Sequence, residues 1–461
     1  MKIELKDKKV LVMGLGLHGG GLGVAKWLVE QGAKVTITDL KSRKQLKKSL
    51  DQLRGMSVKY ILGRHRLNDF KVADLIIKNP GVPNNSKYLK AARKNKIPIE
   101  SDISLFFLST LAQVIGITGS KGKSTTTILV GEIFKTAKQL PVVAGNIRIS
   151  PLQFLKKIKK DDKVVLELSS WQLESLAKHQ ISPHIAVVTN LFPEHLNRYR
   201  SYTDYLRAKA LIIKFQTPGD VCILNRDNYE SRQLGKVVPS QRFWFSKKYF
   251  KEENGAYLYQ DWLWYRFNGK ETKIIKREDI LLQGDHNLEN VLAAIVVVRI
   301  YRIPINVLRL AIKKFKGISG RLELVRKFQD VEYYNDTTAT APPAAIQSLK
   351  TLSKKKNIIL LAGGADKKSN FKDLAKEIKK KTRAVVLFKG AASPKIEKEL
   401  VRNDYWAITK VNNMKKAIAH AEALAQPGDI VLLSPACSSF GIFVNEFDRG
   451  DQFVEEVKKL K

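Results

Sequence analysis

Short runs of β-branched and aliphatic residues, each followed by a stretch of helical periodicity, recur along the whole chain. That alternation predicts parallel sheets whose strands are joined by crossover helices. Three blocks separate. The first holds strand-like runs at Lys9–Met13, 35–38 and 75–77 and ends in the segment 98–108. The second opens at 113–118 and continues through 164–168, 186–190 and Val221–Asn225. Within it, Arg242-Phe243-Trp244-Phe245 and the aromatic run 258–265 predict a β-ribbon inserted into the α/β block. The third block starts near residue 320, with strands expected at Val331–Asn335, 357–361, 384–388 and Ile430–Leu433. The fold class is therefore α/β in three domains, expected at 1–110, 111–318 and 319–461.

Bulk properties narrow the class without changing this picture. At 461 residues the chain exceeds what one core organises, and 44% apolar residues supply ample material for several. The longest apolar stretch, 291–298, is far short of the ~20 residues a bilayer requires, so no membrane span is expected. The first nine residues alternate charge and apolarity without a signal-peptide core, which predicts a cytoplasmic protein. Two cysteines, Cys222 and Cys437, show neither a pairing pattern nor metal-ligand spacing. The net charge of +38 raises nucleic acid, an anionic membrane or anionic small substrates as partners. Most of the cations are lysines scattered through every segment, with no interleaved stacking aromatics, so a solvated basic surface without a nucleic-acid partner is expected.

Candidate chemistry begins after the strand that ends at Thr118. Gly119-Ser120-Lys121-Gly122-Lys123-Ser124 lies between that strand and a helix, where converging backbone N–H groups and the helix N-terminus hold phosphate. Lys123 would reach the β- and γ-phosphates of ATP, and the Ser124 hydroxyl would ligate Mg²⁺. Ile117 stands where the longer form of this loop has its first glycine, so the loop is a shortened variant. Thr125, Thr126 and Thr127 extend the polar start of the helix. The plainer alternative is an ordinary glycine-rich turn.

The same sheet edge collects other groups. Leu166-Glu167-Leu168-Ser169-Ser170-Trp171-Gln172 ends a strand, so Glu167 lies where α/β sheets bind ligands and could hold a second metal ion. The next strand leads into Phe192-Pro193-Glu194-His195, which brings His195 to the same rim. A helix then starts at Ser201, with Asp204 completing a cap-like signal. Its apolar face, Tyr202, Tyr205, Leu206, Ile212 and Ile213, has Lys209 in its middle. A lysine there either snorkels to water or is held neutral and open to CO₂ capture as a carbamate. Near the N-terminus, Gly14-Leu15-Gly16-Leu17-His18-Gly19 with Asp39 twenty residues on matches a dinucleotide fingerprint. Taken alone it predicts NAD, yet nothing downstream supplies hydride chemistry.

Taken together, Gly-Ser-Lys-Gly-Lys-Ser-Thr, the Leu-Glu-Leu-Ser-Ser-Trp-Gln-Leu-Glu run, His195 followed by Lys209, and Gly284-Asp285-His286-Asn287-Leu288-Glu289-Asn290 resemble the Mur ligase family. Tyr334-Asn335-Asp336-Thr337-Thr338-Ala339-Thr340, Gly363-Gly364-Ala365-Asp366-Lys367 and Leu433-Ser434-Pro435-Ala436-Cys437-Ser438-Ser439-Phe440 look like its D-glutamate-adding branch. The resemblance implies an N-terminal Rossmann-like domain for the UDP end of the substrate, a central ATPase domain, and a C-terminal Rossmann-like domain for the amino acid. It implies ATP-dependent amide formation from UDP-N-acetylmuramoyl-L-alanine and D-glutamate, through an acyl phosphate, with two Mg²⁺ ions; a monomer is expected.

By motif, Gly119 to Thr125, together with Asn287, Asn290, Arg321 and Asp336, would hold ATP. Ser124, Glu167, His195 and carbamylated Lys209 would serve the metals, with Lys123, His195 and Lys209 as catalytic groups. Leu17, His18, Asp39, Lys41 and Gly81 would line the UDP-sugar site, reassigning the N-terminal glycines. Asn146, Ser169 and Gln172 would contact the same substrate, and Thr340, Lys367 and Ser439 the incoming D-glutamate. The chain departs from the pattern at Thr338 for a frequent lysine, Asn197 for a frequent aspartate and Arg148 for a usual glycine, and it carries Phe447 one position late. Rivals are other ligases of the superfamily, namely the folate polyglutamylating enzyme and the members that add L-alanine or a diamino acid. The Asp-Asn-Pro-Arg motif of the diamino-acid member is absent. A nucleic-acid-binding ATPase and an NAD-dependent oxidoreductase are the alternatives from other classes.

Overall fold

In the computed structural model, which describes residues 4–16, 19–194, 198–282, 284–352, 355–366, 369–439 and 442–460, the β-branched runs form the inner strands of three sheets. Every residue of Val114–Thr118, Val164–Glu167, Ile185–Val188 and Val221–Asn225 is buried. Continuous apolarity of this kind marks strands with helices on both faces. The chain divides into two compact units, Met1–Leu281 with Asp285–Phe315, and Leu282–Gly284 with Lys316–Lys461.

The first unit contains two sheets. The smaller is fully parallel, in the order Val58–Leu62, Lys34–Asp39, Lys9–Met13, Leu75–Lys78, Ile99–Glu100. The larger has nine strands, and Val114–Thr118 lies between Val164–Glu167 and Ile185–Val188. The chain crosses to one side of this central strand and later to the other, so its carboxyl end is a switch point where a crevice opens. Helix Lys123–Thr136 leaves from that point, and Asp285–Ile300, which contains the apolar run 291–298, packs on it with eight consecutive buried residues from Val291.

The aromatic segment differs from the ribbon expected. Gln241–Ser246 is a regular parallel strand beside Val221–Asn225, and the run 258–265 is two strands, not one. Gln260 and Asp261 break it with φ of 47° and 59°, a turn whose two left-handed residues match strand twist. Gly255–Tyr259, Trp262–Phe267 and Lys270–Lys276 thus extend the nine-stranded sheet, joined to it by a parallel pairing.

The second unit has a six-stranded sheet in the order Glu323–Phe328, Val331–Asn335, Ile430–Leu433, Ile358–Ala362, Thr382–Phe388, Ile408–Val411, parallel except for its first strand. Among the described residues no helix is long and apolar enough to cross a membrane.

Candidate active site

The phosphate loop owes its shape to two glycines. Gly119 has φ 144°, and a Cβ there would lie 1.9 Å from Thr189 Oγ1. Gly122 caps helix Lys123–Thr136 at φ 84°, and a Cβ would lie 2.2 Å from Asn290 Oδ1. Only glycine meets both the dihedral and the space. The loop is strapped by the segment after Ile185–Val188. Ser120 N donates to Asn190 O at 2.8 Å, Lys121 N to Asn190 Oδ1 at 2.8 Å, and Thr189 Oγ1 to Lys121 O at 2.6 Å. Ser120 Oγ accepts from Phe192 N at 2.9 Å and pairs with Tyr205 OH at 2.9 Å. Lys121 forms an ion pair with Glu194. Lys123 Nζ donates to Gly119 O at 2.9 Å and to Ser120 O at 2.7 Å, so its ammonium lies over the loop.

Glu167 ends the strand beside the loop and is 2% exposed. Ser124 Oγ donates to its Oε2, and Asn146 Nδ2 donates to its Oε1 at 2.7 Å. The backbone joins in, with Asn146 N donating to Glu167 O at 2.9 Å. Hydroxyl, carboxylate and amide oxygen are the hard donors that Mg²⁺ takes. Among the described residues no group of three or more His, Cys, Asp or Glu could hold a metal.

Lys209 lies below the loop, buried with Tyr205, Ala208, Ile212 and Ile213 on one face of helix Tyr202–Lys214. Ser201 caps that helix through Asp204 N at 3.1 Å, the signal expected. Lys209 Nζ donates to Thr118 Oγ1 at 3.0 Å and to Gly119 O at 2.9 Å. Burial, and then the positive charge of Lys123, hold its amine well below the usual lysine range, against the weaker pull of Glu194 and Glu167. Snorkelling is thereby excluded for this residue.

The other candidates fall into groups. Asn290 Oδ1 accepts from Thr126 Oγ1, in the helix that follows the loop, at 3.4 Å, and Asn290 Nδ2 donates to Asn287 Oδ1 at 3.1 Å. Thr125 is buried in the same helix start. Ser169 and Gln172 form a capping box on helix Ser170–Ala177, with their polar atoms bonded to each other at 2.9 Å. At the edge of the smaller sheet, Asp39 Oδ2 accepts from Gly16 N at 3.0 Å and so braces the glycine turn, while its Oδ1 accepts from Lys41 N at 2.8 Å. Gly81 N donates to Asn79 Oδ1 at 3.1 Å. This edge abuts the Asn146 loop, since a Cβ on Gly19 would lie 2.9 Å from Arg148 O. Arg148, where a glycine is usual, itself has φ 74°.

In the second unit Arg321 is exposed, whereas Asp336 is 5% exposed. Its carboxyl accepts from Ser348 Oγ at 2.6 Å, Ser434 Oγ at 2.8 Å and Leu322 N at 3.3 Å. Thr340 N donates to Thr338 O at 2.9 Å, and Ser439 is 2% exposed. Leu17, His18, His195 and Lys367 lie outside the described residues.

Sequence reasoning missed the strap residues Thr189, Asn190 and Tyr205. It also missed Arg198, which stacks 4.4 Å from the Trp171 ring and reaches Pro80 O at 3.4 Å. Their signal is tertiary. An asparagine after a strand looks like any turn residue until the neighbouring strand is known.

Models of known families match the chain in three consecutive stretches: the Mur ligase MurD-like N-terminal domain at 8–101, the Mur ligase middle domain at 117–298, and the Mur ligase glutamate ligase domain at 320–437. The chain belongs to the Mur ligase family. It is similar to a UDP-N-acetylmuramoylalanine--D-glutamate ligase of Roseiflexus sp. (strain RS-1), 42% identical over 460 residues that cover 98% of each chain. A protein of the same name from Borreliella burgdorferi is 38% identical, with 99% of each chain covered. Among solved structures, UDP-N-acetylmuramate-alanine ligase MurC from Thermotoga maritima superposes with a TM-score of 0.63 at 19% identity, covering 98% of this chain and 100% of that one, a likeness of fold. As a Mur ligase, the protein is an ATP-dependent ligase of peptidoglycan precursor synthesis that uses Mg²⁺, and its N- and C-terminal domains are Rossmann-like. The N-terminal glycine turn is thus not evidence for NAD.

Proposed function

We propose that this Mur ligase adds D-glutamate to UDP-N-acetylmuramoyl-L-alanine in the cytoplasm. The observation that carries the proposal is the assembly of Ser124, Glu167, Asn146 and a desolvated Lys209 around one phosphate loop. The identity of 42% over nearly the whole chain to a relative named for D-glutamate supports that choice of amino acid. Residues 1–110 take the UDP end of the substrate, 111–318 the ATP and 319–461 the amino acid.

A carboxylate does not react with an amine in water, because oxide is a poor leaving group. In the proposed reaction a carboxylate oxygen of the L-alanyl group attacks the γ-phosphorus of ATP, and ADP leaves. The product is an acyl phosphate. The D-glutamate amine then attacks its carbonyl carbon, the C–O bond to phosphate breaks, and phosphate and a proton are released. Lys123, now on the carbonyls of Gly119 and Ser120, would turn to the phosphates. Ser124 and Glu167 would hold Mg²⁺, which neutralises phosphate charge when bound. His195 and a carbamate on Lys209 complete the set for a second ion in this reading. Neutral Lys209 is the form that captures CO₂, and the carbamate would place an anion beneath the loop. Asn287, Asn290, Arg321 and Asp336 are assigned to the nucleoside, and Thr340, Lys367 and Ser439 to D-glutamate.

Phosphate release with ATP, Mg²⁺ and UDP-N-acetylmuramoyl-L-alanine across a panel of amino acids tests this reading. D-glutamate alone should give turnover. Turnover with L-lysine, meso-diaminopimelate or L-glutamate in its place would refute the substrate assignment.

A further inference from the structure

Among the described residues no larger side chain than that of Arg449 is fully buried. It lies in the first turn of helix Glu446–Lys458, which Asn445 caps by accepting from Phe447 N and Asp448 N at 2.9 and 3.0 Å. Its guanidinium bonds go to backbone and hydroxyl oxygens. Nε donates to Thr337 Oγ1 at 3.1 Å, Nη2 to Thr337 O at 2.8 Å and Nη1 to Cys437 O at 3.4 Å. Thr337 Oγ1 in turn donates to Glu446 O at 2.5 Å. Gly450 completes the contact, because a Cβ there would lie 2.6 Å from Thr337 Cγ2.

Thr337 and Cys437 belong to loops that leave two adjacent strands, Val331–Asn335 and Ile430–Leu433. Ala436 N donates to Ala339 O at 2.9 Å, and Ala365 N to Ser438 O at 2.9 Å, so a third loop joins them. The first two of these loops carry Thr340 and Ser439. Ser439 Oγ is buried and has no hydrogen-bond partner among the described residues, as expected of a group kept for a ligand. Burying a guanidinium is costly, and the rigid fork of an arginine is the side chain that fixes several acceptors at once. Burial draws Arg449 down to about 10, which leaves it charged at neutral pH.

We propose that Arg449 is a positioning residue for the amino-acid site: by tying Thr337 to Cys437 it sets the spacing of the loops that receive D-glutamate. The inference rests on the D-glutamate reading above. Arg449→Gln, Arg449→Lys and Thr337→Val test it in the full-length enzyme, with all three substrates varied in turn. Arg449→Gln should raise the KM for D-glutamate at least tenfold, with the KM values for ATP and the UDP-substrate within about twofold of wild type. Arg449→Lys should recover part of the loss. Thr337→Val, which removes one acceptor and keeps the backbone one, should raise the same KM a few-fold and serves where Arg449→Gln fails to fold. An unchanged D-glutamate KM in the folded variants, or an equal rise in all three, overturns the proposal. If the wild type turns over with a different amino acid, the substrate reading fails instead, and the KM split is then sought with that amino acid.

Discussion

Replacing Lys209 with alanine removes an amine that is almost wholly buried and holds Thr118 Oγ1 and Gly119 O at 3.0 and 2.9 Å. At its ordinary 10.5 a lysine is neutral in only about one molecule in 10³ at pH 7.5. Burial, and then the positive charge of Lys123, shift Lys209 towards the neutral form and so raise the fraction able to react with CO₂. In the proposed reading a carbamate on Lys209 would add one preorganised charge to the metal and phosphate site. Loss of one preorganised electrostatic group costs about 10²–10³ in kcat, or roughly 3–4 kcal/mol. Lys209→Ala should therefore show nearly no phosphate release in the ATP, Mg²⁺ and UDP-substrate assay. Because alanine leaves the volume of the lysine stem empty, millimolar formate, acetate or propionate should restore part of the activity. Lys209→Met fills that volume and should not respond to the acids. Full activity of Lys209→Ala without added acid would refute the carbamate role.

Gly122→Ala should lower the melting temperature and raise the KM for ATP more than tenfold. A left-handed alanine costs about 1–2 kcal/mol, and its Cβ at 2.2 Å would displace the Asn290 side chain; thermal unfolding and ATP titration at wild-type values would count against this. Stability should also depend on pH through Asp336, whose carboxyl burial raises from 3.8 to about 6. The folded state prefers it protonated, so its contribution is full below pH 3.8 and lost as pH rises through about 6. That interval corresponds to roughly 3 kcal/mol. Asp336→Asn stays neutral throughout, and denaturant unfolding at pH 4, 5 and 6 should show a flatter profile than wild type; parallel profiles would refute the assignment.

Local chemistry in the chain was enough to locate the phosphate loop, the strands on either side of it, the Ser201 cap and the position of Lys209 on an apolar face. Each depends on residues within one or two turns, where periodicity and capping act directly. Short or edge strands were not legible: Val58–Leu62, Val142–Gly145, Glu323–Phe328 and Ile408–Val411 carry too few buried residues, or too short a run, to stand out. The aromatic ribbon was legible at 258–265, which lies in an antiparallel hairpin, but not the parallel partner of 242–245, because alternation reveals a strand and not its neighbour. Only the tertiary structure decided that Val164–Glu167 and Ile185–Val188 flank the phosphate-loop strand. Through that order Glu167 meets Ser124 across 43 residues and Lys209 meets Gly119 across 90. The fate of Lys209 changed with it: in the sequence it is one lysine among many, and in the fold it is an amine stripped of water beside a second cation. Strand order and desolvation are properties of the packed chain, set by contacts between distant segments, and no local pattern contains them.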